Sequence, residues 1–291
     1  ESSACWPSLT TGVNPGETGV YGFQDREVDS YETYVPMGRH VKATRLWDRV
    51  TDAGRDATVL NVPVTFPPST RIQRMASGFL SPDLESATSD ESLRETLDGF
   101  DYRIDVNAKL GHDDDKTEFL ENAHATLDAR YEAFSHYLAE DDWDLFFGVF
   151  MSTDRVNHFL FGDYATDGEY AEEFLEFYRT LDEYIGAIRD SLDDDATLVV
   201  ASDHGFTRLE WEVNCNQFLA DEGWLSYDGD DHDSLADIDD ETRAYSLIPG
   251  RFYLNLEGRE PEGVVPESEY EAVREELRSD LESLTGPDGR Q

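Results

Sequence analysis

The chain has 291 residues, of which 65 are acidic and 23 basic, giving a net charge of −42. That charge argues against binding to nucleic-acid duplexes or anionic membranes, and no stretch is long or apolar enough to span a bilayer. Apolar residues make up 38% of the chain, enough for a core, so the acidity is not a disorder signature. Lysine occurs only as Lys42, Lys109 and Lys116. An acidic, lysine-poor folded chain suits concentrated salt, where screening removes self-repulsion, and a halophilic setting is expected. Two cysteines, Cys5 and Cys215, give no disulfide framework. With no signal peptide visible, the expected location is cytoplasmic.

In chain order, Ser2 and Ser3 precede a short apolar segment, residues 4–9, that can open as a helix. Ser2 has two readings here, an ordinary helix cap or a nucleophile favoured by the helix dipole and a metal. Pro and Gly mark a loop over 12–19. Residues 39–54 have helical spacing, and 57–62 read as a buried strand stopped by Pro63, Pro67 and Pro68. Residues 66–117 are irregular and read as an inserted cap. A helix is expected over 117–140, then a third strand at 144–151, apolar on both faces. A long amphipathic helix over 168–191 leads to a strand at 196–200. A helix at 211–222, an acidic loop at 228–240, a strand at 251–256 and a charged helix at 267–285 complete the chain. Buried strands alternating with helices define an α/β fold with a mostly parallel central sheet flanked by helices.

Two of these strands end on the same chemistry. The strand ending near 151 runs into Asp154 and His158, whose i, i+4 spacing puts both on one face of a helical turn. The strand ending near 200 runs into the adjacent pair Asp203 and His204. Sheets of this type place their ligands at the C-terminal edges of strands. Carboxylate plus imidazole suits zinc or manganese, and two such pairs suggest two metals about 4 Å apart, an arrangement used in phosphoryl transfer. The other histidines read as structural or solvated: His124 and His136 on a helix, His40 near a helix start, His112 and His232 among aspartates. The Asp runs 113–115 and 193–195 lack EF-hand spacing and read as surface.

Four stretches together resemble the alkaline phosphatase superfamily, in its type I phosphodiesterase/nucleotide pyrophosphatase branch, and most of all its archaeal and bacterial members. They are SACWPSLTTGVNPGETGVYGF, NVPVTFPPS with SGFLSP, FMSTDRVNHF, and SDHGF with the segments that follow it. The resemblance implies one alkaline-phosphatase-like catalytic domain over 1–291 with a cap-like insertion at about 66–117. It implies hydrolysis of small phosphate esters, diesters or nucleotide-type pyrophosphates above monoesters, with two divalent metal ions, zinc or else manganese. Asp154 and His158 would hold one metal; Asp203, His204 and the nucleophile would hold the other. The nucleophile falls nine residues before Thr11, at Ser2.

The chain also departs from the pattern. Phe23 stands where some members have a phosphate-pocket Asn, and neither an early Asp ligand nor a late His ligand has a candidate. With about three protein ligands needed per zinc, the chain is expected to be truncated at both ends and to turn over poorly. Phosphonate or sulfate ester hydrolysis on the same site is the alternative activity, and a non-catalytic metal- or ligand-binding relative is the alternative class. The related sulfatases use C-x-P-S-R; Cys5-Trp6-Pro7-Ser8 follows that pattern until Leu9 replaces Arg. Cys5 is therefore expected to be a buried packing residue.

Overall fold

A computed structural model describes residues 2–140, 142–229, 234–248, 250–287 and 289. In chain order its helices are α1 (Ser2–Thr11), α2 (Pro15–Thr18), α3 (Leu46–Asp52), α4 (Leu84–Ala87), α5 (Glu91–Gly99), α6 (Thr117–Glu140), α7 (Ser152–Thr166), α8 (Ala171–Ser191), α9 (Cys215–Asp221) and α10 (Tyr270–Glu282). Its strands are β1 (Asp25–Arg26), β2 (Thr33–Tyr34), β3 (Ala57–Val62), β4 (Arg74–Ser77), β5 (Leu145–Gly148), β6 (Ala244–Ile248) and β7 (Arg251–Leu254). The backbone divides into two compact units, Glu1–Tyr21 with Pro36–Arg208, and Gly22–Val35 with Leu209–Gln291. Among the described residues no helix is long and apolar enough to cross a membrane.

The first unit is built on a parallel sheet in the order β4–β3–β5. All six residues of β3 are buried, as a central strand covered on both faces requires. Successive side chains of a strand point to opposite faces, and the cores follow that alternation. Val59 packs with Trp6, Trp47, Met75 and Met151 on one side. Leu60 packs with Leu93, Leu97, Phe134 and Tyr137 on the other. Helices α1 and α3 therefore cover one face and α5 and α6 the other, which makes this the expected α/β fold with a parallel sheet flanked by helices. Outside that layer, α6, α7 and α8 join through Phe119, Leu127, Leu160 and Phe177.

The structure corrects several expected elements. The segment expected as an irregular cap contributes β4 to the sheet and α4 and α5 to its cover. The four residues of β4 are too few for a readable period. β5 is a half-buried strand at the side of the sheet rather than buried on both faces. The expected buried strand at 196–200 does not form; Leu198, Val199 and Val200 are 40%, 77% and 68% exposed. An apolar run needs a neighbouring ladder to become a strand, and β5 is the last strand on its side of the sheet. The helix expected over 39–54 is instead a 3-10 turn, Gly38–His40, followed by α3. Later boundaries move inward by a few residues, as at α8, α9, α10 and β7.

At the C-terminal end of β3, Asn61 adopts φ 67° and is fully buried, and the β3–β4 register shifts between Leu60 and Val62. Gly78 fits against this kink: a Cβ there would stand 2.2 Å from the Asn61 carbonyl oxygen.

The second unit consists of two antiparallel pairs, β1–β2 and β6–β7, with α9 and α10. Its core gathers Tyr31, Trp224, Tyr245, Leu254 and Leu277. The buried carboxylate of Glu260 is held by Arg26, Arg259, the Tyr245 hydroxyl and the Leu256 N–H. Phe23 lies in this unit and is exposed.

Candidate active site

The end of β5 feeds α7, whose first turn carries Asp154 and whose second carries His158. The i, i+4 spacing places His158 Nε2 3.6 Å from Asp154 Oδ1. The segment after 200 brings His204 to the same carboxylate, with its Nε2 3.9 Å from Asp154 Oδ1 and 3.4 Å from Asp203 Oδ2. Ser2, the first residue of α1 and buried, has its Oγ 2.8 Å from His204 Nε2. The structure thus gathers all five residues singled out in the sequence, Ser2, Asp154, His158, Asp203 and His204.

Local contacts position Ser2, His204 and His158. Trp6 anchors α1 in the core against the sheet, and buried Arg45 donates to Thr10 on the same helix and to the Val64 carbonyl. Burial lowers the Arg45 guanidinium to about 10, so it stays charged at neutral pH. His204 Nδ1 lies 2.8 Å from the Gly205 carbonyl oxygen, which can only accept. Nδ1 therefore carries a proton, and Nε2 faces Ser2 and the two aspartates. His158 rests edge-on against Phe206, with ring centroids 5.1 Å apart. Desolvation pushes the Asp154 carboxyl above its usual range, and His158, Arg155 and His204 oppose that shift.

The donor set fits a divalent cation. It contains only oxygen and imidazole nitrogen, and Asp203 Oδ2 is buried with no hydrogen-bond partner. Donors at about 2 Å from a shared ion stand roughly 3.3 Å apart; the Asp203–His204 and Asp154–His158 separations of 3.4 and 3.6 Å approach this. As placed, no group of three or more His, Cys, Asp and Glu side chains among the described residues is arranged to hold a metal together.

The cluster of Asp, His and Ser side chains thus lies beside a parallel α/β sheet, with Asp154 and His158 on the helix that follows β5. A family model for type I phosphodiesterase / nucleotide pyrophosphatase matches residues 1–291, and the chain belongs to that family of hydrolases. Its members are generally metal-dependent. No curated protein and no solved structure gives a significant match.

The structure adds residues that sequence reasoning missed. Arg155 donates from Nη1 to Asp154 Oδ2 at 3.3 Å, and from Nε and Nη2 to Asp105 Oδ2 at 2.9 and 2.6 Å. Asn157 donates to the Tyr178 hydroxyl, 2.6 Å away. The only signal for Arg155 was its place inside the Asp154–His158 turn; Asp105 gave none. Of the other histidines, His40 Nδ1 accepts the Met37 N–H, while His112, His124 and His136 pack edge-on or tilted against aromatic rings. His232 lies outside the described residues. Cys5 is half-buried and not in a disulfide.

Proposed function

We propose that the chain hydrolyses small phosphodiesters or nucleotide-type pyrophosphates, with Ser2 as nucleophile. The observation that carries this reading is the 2.8 Å contact between Ser2 Oγ and His204 Nε2, inside a cluster that also holds Asp154, His158 and Asp203. Asp154 and His158 hold one divalent cation, and Asp203, His204 and Ser2 a second, zinc or manganese by the donor set. When bound, these ions supply positive charge that favours the serine alkoxide and offsets charge building on the phosphoryl oxygens.

The chain's own part is positional. The N-terminal end of α1 places Ser2 where the helix dipole favours an anion. The Ser2 proton passes to the leaving group, and Ser2 Oγ bonds to phosphorus as the bond to the leaving alcohol or phosphate breaks, which gives a serine-linked phosphodiester that keeps the substrate's other ester group. Water then cleaves the Ser2 Oγ–P bond, which releases the phosphate monoester and returns a proton to Ser2.

Ser2→Ala tests this reading. Turnover of a nitrophenyl phosphodiester should fall at least about 1000-fold, with bound metal retained because four ligands remain. Asp203→Ala and His204→Ala should lose metal and activity together. A near-normal rate in Ser2→Ala would return Ser2 to the role of a helix cap.

A further inference from the structure

We propose that Arg155, held by Asp105, is a positioning residue that fixes Asp154 Oδ2 so that only Oδ1 is offered to the cation that Asp154 would share with His158. The inference rests on the reading of Asp154 as a cation ligand.

Four links carry it. Asp154 Oδ2 accepts from Arg155 Nη1 at 3.3 Å, while Oδ1 is the oxygen that faces both imidazoles. The Arg155 guanidinium has little freedom to leave, since Nε and Nη2 both donate to Asp105 Oδ2 and its carbon lies 4.6 Å from the Phe79 ring centre. Asp105 is itself pinned, because its Oδ1 accepts the Val106 N–H at 2.8 Å. The loop carrying Asp105 is tied down by Arg130, a fully buried guanidinium that donates to the carbonyls of Arg103, Ile104 and Val149. Val149 lies just beyond β5, on the path to Asp154, so a single buried arginine ties the Asp105 loop to the chain that delivers the ligand.

The pair is also electrostatically quiet. Arg155 and Asp105 cancel in net charge, so together they orient the Asp154 carboxylate with little change to its attraction for a cation. Outer-shell partners of ligating carboxylates commonly act in this way.

The test is calorimetric titration of the full chain with Mn²⁺ alone, using Arg155→Gln, Asp105→Asn and the charge-neutral double variant. Positioning requires all three to weaken Mn²⁺ binding, by about 10- to 100-fold. The double variant should be no weaker than the worse single, because both act through one contact. A purely electrostatic role gives opposite signs: Arg155→Gln tightens binding, Asp105→Asn weakens it and the double returns to wild type, and that pattern overturns the proposal. Unchanged affinity with a lowered melting temperature, the mark of a merely structural ion pair, overturns it as well. If the double variant fails to fold, the signs of the two single variants decide the question. Mn²⁺ binding in Asp154→Ala with the wild-type stoichiometry and affinity, or no Mn²⁺ binding by the wild type, overturns the metal-site reading and this inference with it. Wild-type binding that is lost in Asp154→Ala but indifferent to Arg155 and Asp105 overturns this inference alone.

Discussion

Burial withdraws water from Asp154 and raises its carboxyl pKa, so the folded chain without metal binds a proton there more readily than the unfolded chain does. Ionised Asp154 is therefore a cost to folding above that raised value, relieved as pH falls through it. A cation needs the carboxylate deprotonated, and binding must displace protons from the cluster. Metal affinity should accordingly fall as pH drops from 7 toward the Asp154 range, and titrations in buffers of different ionisation enthalpy should count protons released per ion. An affinity indifferent to pH would show that Asp154 is not a ligand. The legibility of these residues followed sequence distance. Asp154 with His158, and Asp203 with His204, are close enough in the chain for helical or adjacent spacing to group them. Ser2 came from a count along a resembling motif, and the structure sets it beside His204. Asp105 meets Arg155 across 50 positions, and no periodicity relates them.

Among the elements, α6 was legible over its whole length because an apolar stripe recurs through 24 residues. β3 was legible because four of its six residues, Ala57, Val59, Leu60 and Val62, are apolar, as suits a strand buried on both faces. β4 was not, since its place depends on a kinked neighbour rather than on its own four residues. That kink gives a direct test. The carbonyl oxygen of Asn61 would stand 2.2 Å from a Cβ at position 78, and the backbone of β3 cannot yield cheaply. Gly78→Ala should therefore destabilise the chain by about 1–3 kcal/mol, the usual range for overpacking a well-filled site. Urea denaturation would read this as a lower midpoint at unchanged slope. An unshifted midpoint would mean that the register shift between Leu60 and Val62 relaxes without cost.

The whole molecule carries a net charge of −42. Its basic groups pair with carboxylates in local contacts such as Arg243 with Glu276 and Arg179 with Glu172, and 23 cations cannot neutralise 65 acids. Self-repulsion falls when the Debye length shrinks from about 10 Å at 0.1 M salt to about 3 Å at 1 M. The melting temperature should rise steeply between about 0.1 and 3 M salt, as monovalent salt titrations can check. A flat profile would remove the argument for a halophilic setting.

The two halves of the Asp and His cluster ride on supports of different kinds. Asp154 and His158 follow β5, whose residues pair with β3. Asp203 and His204 follow Leu198, Val199 and Val200, which are exposed and belong to no strand. Amide protons of 197–204 should thus exchange with deuterated water far sooner than those of β3, within the low-stability end of the molecule's spectrum of local openings. An ion held by Asp203, His204 and Ser2 would act as a fastener, tying the segment that lacks a ladder to α1 and the sheet it packs on. Exchange measured with and without Mn²⁺ should show slowing concentrated in 197–206 and little change at 57–62. The same experiment would time the closing of the site without any substrate present.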